Sequence, residues 1–143
     1  MIAVDTNILV YSVAETSPNY ERAKALVAQL AESGRKWCIP WPCIHEFLGI
    51  ITHPKIYRPS MKPTTAVRQV EAWMGSPSLQ LIGEQAGYWE HLQILLASDR
   101  IQGPKIHDAR IAAICRAAGV REIWSADRDY SQFPGIVVRN PLV

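Results

Sequence analysis

The stretch MIAVDTNILVY (residues 1–11) places one carboxylate, Asp5, inside an otherwise apolar segment. Residues 2–4 form a short apolar run typical of a buried strand, and Asp5 follows it immediately. An aspartate here could cap a short helix beginning at Thr6. It could equally lie at the carboxyl end of a strand, where α/β proteins bind their ligands. Which of these two roles applies to Asp5 depends on which other residues lie close to it in the fold.

Length and composition predict one soluble globular domain over residues 1–143. Hydrophobic residues make up 48% of the chain and charged residues 20%, so a substantial core can be buried. No run of about 18 apolar residues could cross a membrane, and no secretory signal peptide is recognisable at the N-terminus. The three cysteines form no CxxC pair, which argues against a disulfide framework. We therefore expect a cytoplasmic protein.

The net charge of +2 says little about partners by itself. If several of the 13 acidic residues were gathered in one cation site, the remaining surface would be clearly basic. A cation-filled pocket on a basic surface attracts polyanions. The inference depends on whether such a site exists.

Strands and helices are predicted to alternate along the chain. Short apolar runs predict strands at 2–4, 37–39, 79–82, 122–125 and 136–138. Apolar residues at helical spacing predict helices at 18–33, 44–51, 64–74, 88–98 and 107–118. Ser17 is the expected cap of the first helix, with Pro18 at its first position, and Pro40 is expected to lie outside the second strand. The alternation favours an α/β fold with a central, mostly parallel twisted sheet flanked by helices on both faces.

Four acidic residues are predicted to meet at one edge of this sheet. Asp5 and Asp127 each follow a predicted strand, whereas Asp108 opens a helix and Glu46 lies near the start of another. Ligands of open parallel sheets bind at the carboxyl ends of the strands, where these positions converge. Taken singly, each residue has a simpler explanation as a cap, a helix-dipole partner, a turn former or a solvated group.

Convergence of the four carboxylates would require a cation. Two carboxylates about 4 Å apart repel by roughly 4 kcal/mol at an effective dielectric constant near 20. Several such pairs would rival the ~5–15 kcal/mol stability of a whole domain. Oxygen ligands without cysteine or histidine favour Mg²⁺, or Mn²⁺, over zinc. Such ions suit phosphodiester hydrolysis because they orient a water, lower its pKa and stabilise the departing oxygen.

Four segments that carry these acidic residues follow one another along the chain. They are VDTN around Asp5, IPWPCIHEFLGIITHP around Glu46, KIHDARIAAICRAAG around Asp108 and IWSADRDYSQFPGIVVRNP around Asp127. In this order they resemble the PIN-domain ribonucleases, specifically the VapC-type toxins of bacterial toxin–antitoxin pairs. The resemblance implies an Mg²⁺-dependent endoribonuclease that consists of a single PIN domain, is neutralised by a cognate antitoxin and is commonly a homodimer.

The resemblance also implies a role for each acidic residue. Asp5 and Asp108 match direct metal ligands, and Asp127 completes the acidic pocket. Asp129 is a supporting or alternative ligand in the same motif as Asp127. Glu46 matches a residue that binds a second ion or positions the attacking water. Catalysis is thus assigned to Asp5, Glu46, Asp108 and Asp127, without a histidine base.

Polar neighbours of the acidic motifs are also matched. Asn7 and Ser125 correspond to positions that orient the ligands or the water. The last motif departs from the family pattern twice, with Ser125 where threonine is frequent and Tyr130 where phenylalanine is usual. Both departures keep the chemistry of the position, a hydroxyl group in one case and an aromatic ring in the other.

Four cationic residues are candidates for contacts with RNA. Arg110 and Arg128 lie beside acidic motifs and are placed to contact phosphates. Lys55 and Arg58 belong to an expected exposed loop and could track an RNA backbone. Each of the four also has the simpler explanation of a solvated surface side chain.

Other functions are compatible with part of this pattern. A receiver-like phosphoacceptor domain also binds Mg²⁺ at strand ends, but it would need paired acidic residues after the first strand and a lysine at a late one. Only Asp5 follows the first strand here, and the late strands carry no lysine. A binding or assembly module with a structural acidic cluster, or a nuclease that cuts DNA, is distinguished by assays of metal-dependent cleavage.

Overall fold

The computed structural model describes residues 1–143 and contains a five-stranded sheet in which every neighbouring pair of strands is parallel. The strands are β1 (Ile2–Val4), β2 (Trp37–Pro40), β3 (Leu79–Ile82), β4 (Glu122–Trp124) and β5 (Val137–Arg139). Their order across the sheet is β3-β2-β1-β4-β5. The predicted α/β class is confirmed, and the sheet is entirely parallel rather than mostly so.

Six α-helices and one short 3₁₀ helix connect the strands. They are α1 (Thr6–Tyr11), α2 (Tyr20–Glu32), α3 (Trp41–Ile51), α4 (Pro63–Met74), α5 (Tyr88–Leu95), α6 (Lys105–Ala117) and the 3₁₀ helix Arg128–Gln132. Helices α1 to α4 connect β1, β2 and β3 in one direction, and α5 and α6 return the chain to β4 in the other. Because crossovers between parallel strands are right-handed, the two groups of helices cover opposite faces. None of the helices combines the length and apolar character needed to cross a bilayer.

The middle of the sheet is the centre of the hydrophobic core. Every residue of β1 and β2 is buried, as expected for parallel strands covered on both faces. A continuous cluster of 34 buried hydrophobic residues includes side chains from both groups of helices. The strand ends are therefore held in fixed positions by packing on both sides.

One alternative given for Asp5 is confirmed, and one expectation about a helix start is wrong. The apolar residues after Asp5 form α1, the short helix beginning at Thr6 that Asp5 caps. Helix α2 begins at Tyr20 after Asn19, and no side chain caps it. Ser17 instead accepts a hydrogen bond from the backbone N–H of Asn19 at 3.1 Å, so it forms a turn before the helix.

Pro40 belongs to β2, contrary to the expectation that the strand would end before it. Pro40 pairs with Ile82 of β3, whereas pairing between β1 and β2 extends only to Cys38. The missing N–H of proline therefore falls beyond the ladder with β1, and the strand can include this residue. Helix α3 follows at once, three residues earlier than the apolar spacing indicated.

Ile123→Ala is expected to destabilise the protein strongly. Ile123 is fully buried in β4 between β1 and β5, so truncation leaves a cavity and should lower the free energy of unfolding by about 2–5 kcal/mol. Ile94 on α5 is 55% exposed, and Ile94→Ala should change that free energy by about 0.5 kcal/mol or less. Urea denaturation followed by tryptophan fluorescence measures both variants. Equal losses would contradict the placement of β4 in the core.

Candidate active site

The carboxyl ends of β1 and β4 form the edge at which the acidic residues meet. The two strands are adjacent, and the backbone N–H of Asp5 donates to the carbonyl of Trp124 at 3.0 Å. From β1 the chain progresses toward β3 on one side, and it later adds β4 and β5 on the other side. This pair of strands is therefore the topological switch point, where open α/β sheets bind their ligands.

Asp5 lies at the base of the site and is only 5% exposed. Its Oδ1 accepts hydrogen bonds from the backbone N–H of Thr6 (2.8 Å), the hydroxyl of Tyr130 (3.3 Å) and the thiol of Cys43 (3.6 Å). Its Oδ2 accepts a hydrogen bond from the hydroxyl of Ser125 at 2.7 Å. Burial raises the pKa of Asp5, and the bonds from Ser125 and Thr6 oppose that shift. Asp5 thus caps α1 and also faces the site.

An open cavity of about 310 Å³ begins at Asp5. Four acidic side chains line it, and all four were predicted to meet: Asp5, Glu46, Asp108 and Asp127. Its other lining residues are Thr6, Asn7, Val10, Tyr11, Ile50, Tyr57 and Tyr130. Elements far apart in sequence therefore contribute to a single acidic cavity.

Three carboxylates lie especially close together. Oxygen atoms of Asp108, Asp127 and Asp129 are within 4.8 Å of one another. Asp108 is in the first turn of α6, and Asp127 caps the 3₁₀ helix by accepting the backbone N–H of Asp129 at 2.8 Å. The structure therefore brings both residues of the last motif next to Asp108.

The negative charges act together on Asp108. Its pKa is raised to about 6 by burial and by the charges of Asp127, Asp5, Asp129 and Glu46. A shift of this size and origin is typical of carboxylates that share a functional site.

Asn7 and Ser125 connect the start of α1 to the loop after β4. The amide nitrogen of Asn7 donates to the hydroxyl oxygen of Ser125 at 3.2 Å and to Asp5 Oδ2 at 3.4 Å. The amide oxygen of Asn7 accepts the backbone N–H of Ala126 at 3.1 Å. Ser125 Oγ also accepts the backbone N–H of Asp127 at 2.9 Å. These bonds fix the two acidic segments relative to each other.

Glu46 is exposed at the rim of the cavity on α3. Its Oε2 accepts a hydrogen bond from the hydroxyl of Thr6 at 2.9 Å. This contact holds one carboxylate oxygen and leaves the other open to solvent or substrate.

The four candidate RNA contacts have different surroundings. The Nε–H of Arg110 donates to Glu84, just beyond β3, so only its terminal nitrogens are left for a phosphate. Arg128 is exposed on the 3₁₀ helix. Lys55 and Arg58 are exposed in the turn after α3, as expected for that segment.

Sequence reasoning missed the contributions of Cys43, Tyr11 and Tyr57 to the site. Cys43 precedes Glu46 by three residues, and Tyr11 follows Asn7 by four, so each shares a helix face with a predicted site residue. Those spacings were the available signal. Tyr57 had none, because it reaches the cavity from a turn.

The donor set of the site fits a hard divalent cation. Carboxylate oxygens dominate it, and the three closest belong to aspartates. Burial raises the pKa of the Cys43 thiol, so this residue remains a neutral S–H donor rather than a thiolate ligand. The site therefore lacks the soft ligands that favour zinc.

Comparison with known proteins assigns the family. The profile of the PIN domain matches residues 2–136. The chain belongs to the PIN-domain family. Ribonuclease VapC48 of Mycobacterium tuberculosis is 32% identical to it over 139 residues, which cover 96% of this chain and 95% of the relative. This PIN-domain protein therefore belongs with the VapC ribonucleases.

Two solved structures share the PIN-domain fold. VapC20 of Mycobacterium tuberculosis, described as a sarcin-ricin loop cleaving toxin, has a TM-score of 0.66 at 18% identity and covers 92% of this chain and 93% of its own. VapBC2 from Rickettsia felis, bound to a DNA fragment from its promoter, has a TM-score of 0.68 at 19% identity and covers 98% of each chain. At these identities the likeness establishes the fold.

Asp108→Asn is expected to stabilise the metal-free PIN domain near neutral pH. The pKa of Asp108 rises from 3.8 to about 6 on folding, so its ionisation lowers stability as the pH rises through that window. Asparagine removes this effect and should add about 1 kcal/mol to the free energy of unfolding near pH 7, after allowance for solvent screening. Well below pH 3.8 the gain should vanish, because Asp108 is then protonated in both the folded and the unfolded state.

Urea denaturation in EDTA at both pH values measures this difference. Asp99→Asn is the matched control, since Asp99 is exposed in the loop after α5, and it should show no such pH-dependent gain. A loss of stability in Asp108→Asn that is the same at both pH values would show that the carboxylate does not repel its neighbours.

Proposed function

We propose that this chain is an Mg²⁺-dependent endoribonuclease toxin that cleaves RNA phosphodiester bonds and is neutralised by a cognate antitoxin. Mn²⁺ is an acceptable substitute for Mg²⁺. The observation that carries the proposal is the meeting of five carboxylates at the switch point of a PIN domain, where burial and the charges of the other four raise the pKa of Asp108. We further propose a cytoplasmic homodimer whose subunits are each a single domain of residues 1–143.

The metal ligands in this proposal are Asp108, Asp127, Asp129 and Asp5. The first three offer oxygens that lie close together, and Asp5 is fixed beside them by its hydrogen bonds. When bound, Mg²⁺ supplies charge neutralisation and a water of lowered pKa for attack on phosphorus. Asn7 and Ser125 hold the carboxylate of Asp5 in position.

Glu46 positions the attacking water in this proposal. Thr6 holds one of its oxygens, and the other can accept a hydrogen bond from a water at the cavity rim. Lys55, Arg58 and Arg128 are exposed cations that can neutralise RNA phosphates, and Arg110 can do so with its terminal nitrogens.

The antitoxin partner is supported by the kind of proteins that this chain resembles. VapBC2 from Rickettsia felis and VapBC from Salmonella typhimurium were both solved as complexes bound to DNA, and they share this fold. The receiver-like alternative gains no support, because only Asp5 follows β1 and strands β4 and β5 carry no lysine. No observation favours a purely structural acidic cluster.

RNA cleavage tests the proposed function. Purified protein freed of antitoxin is expected to cut total bacterial RNA into discrete fragments with Mg²⁺ and to leave it intact with EDTA. Asp108→Asn and Asp127→Asn each remove a ligand and should lower the rate on the order of 100-fold or more. Asp99→Asn, far from the cavity in sequence and exposed, should cut at the wild-type rate.

Thermal unfolding with and without Mg²⁺ accompanies the cleavage assay. A ligand that binds only the folded state raises its stability, so Mg²⁺ should raise the Tm of the wild type more than that of Asp108→Asn. Intact RNA together with an unchanged Tm, from a folded wild-type protein, would contradict the proposed function.

Ser125→Ala is expected to weaken Mg²⁺ binding about 10- to 100-fold. The hydroxyl of Ser125 donates to Asp5 and accepts from the backbone of Asp127, so its removal frees both acidic segments. Ser125→Thr keeps a hydroxyl and is the matched control, with an affinity expected to stay near that of the wild type. Calorimetric titration with Mn²⁺ measures both variants. Equal affinities of the alanine and threonine variants would show that the hydroxyl does not position Asp5.

A further inference from the structure

Part of the cavity wall is aromatic and aliphatic rather than acidic. Tyr11, the last residue of α1, and Tyr57, in the turn after α3, both line the cavity beside Val10 and Ile50. Tyr11 and Tyr57 are half-buried, and both residues line the cavity. We call these two residues the tyrosine wall. They have no part in the chemistry described above.

The turn that carries Tyr57 is well fixed. The backbone N–H groups of Ile56 and Tyr57 both donate to the carbonyl of His53, at 3.1 and 3.0 Å. The N–H of Met61 donates to the carbonyl of Ile51 at 3.0 Å and closes the segment against α3. The backbone of Tyr57 is therefore held in place without a bound ligand, which lowers the entropic cost of ordering this turn on binding.

Tyr57 has cationic neighbours in sequence and borders a second groove. Lys55 and Arg58 flank Tyr57 in sequence, and both are exposed. Tyr57 also lines a second groove of about 370 Å³ with Val13 and Met61, so one ring borders both spaces. A chain leaving the acidic cavity over Tyr57 thus reaches a second groove, and the exposed Lys55 and Arg58 lie within two residues of Tyr57 in sequence.

We propose that the tyrosine wall is a subsite that stacks an unpaired base of single-stranded RNA beside the scissile phosphate, with Lys55 and Arg58 on neighbouring phosphates. The subsite rests on the proposed ribonuclease function and specifies its substrate. A cavity of about 310 Å³ is at the small end of ligand pockets and suits one nucleotide. Bases inside a duplex are already stacked, so only an unpaired base can use the wall.

Binding of RNA to Tyr57 variants tests the subsite directly. All variants carry Asp108→Asn, which slows cleavage during the binding measurement, and the probe is a labelled single-stranded RNA pool about eight nucleotides long in Mg²⁺. Loss of the ring in Tyr57→Ala is expected to weaken binding about 5- to 150-fold. Tyr57→Phe retains the ring and should restore binding. Trp89→Ala removes a 60% exposed ring on α5, outside the cavity lining, and should bind as the parent does.

Two further measurements separate stacking from a structural role of Tyr57. Binding of double-stranded RNA should be the same in the Tyr57→Ala and Tyr57→Phe variants. Tyr11→Ala and Tyr11→Phe make the same comparison at a residue of α1. The stacking proposal can therefore still be tested if Tyr57→Ala fails to fold. Equal affinity for single-stranded RNA in the alanine and phenylalanine variants at both positions would overturn the proposal. The tyrosine wall would then be assigned to contact with a protein segment instead of RNA.

Cleavage by chains that retain Asp108 distinguishes the subsite from the ribonuclease function itself. The subsite predicts that Tyr57→Ala raises KM for single-stranded RNA rather than lowering kcat. Cleavage with equal KM in Tyr57→Ala and Tyr57→Phe overturns the subsite and leaves the function standing. Absence of cleavage by the wild type, with the ring still required for binding, overturns the ribonuclease function and with it the placement beside a scissile phosphate, and leaves only the stacking of single-stranded RNA on the tyrosine wall.

Discussion

The repulsion between like charges at the ends of β1 and β4 is the constraint on which the site depends. Five carboxylates lie close together, and burial together with the charges of the other four raises the pKa of Asp108. Close pairs of such charges repel by a few kcal/mol each even with partial screening. The fold must hold the carboxylates together before a cation arrives, so the protein has to compensate for the repulsion with its own groups.

Helix N-termini supply that compensation. Asp5 caps α1, Asp127 caps the 3₁₀ helix, and Asp108 lies in the first turn of α6. Backbone N–H groups at these places carry partial positive charge and stabilise a carboxylate. The simpler explanations offered for these aspartates, a cap, a dipole partner or a turn former, therefore agree with the structure. They are also the means by which the proposed metal site is preorganised.

The strands and helices could be predicted from the sequence where apolar residues recur at a regular spacing. All five strands and five of the six α-helices follow from apolar spacing. Helix α1 was indicated only by the capping role open to Asp5, because its buried residues continue directly from a buried strand. The acidic residues of the site were predictable because parallel topology brings strand ends together. Cys43, Tyr11 and Tyr57 were not predicted, since their places in the cavity depend on tertiary packing.

The two kinds of wall in the cavity have different origins in the sequence. The carboxylates come from strand ends and helix starts that the sheet topology fixes, so any PIN domain with these motifs can gather them. Tyr11 and Tyr57 come from the last residue of a short helix and from a turn. Turns and helix ends tolerate substitution without disturbing the sheet. Substrate choice can therefore change through such positions while the acidic chemistry at the switch point is retained.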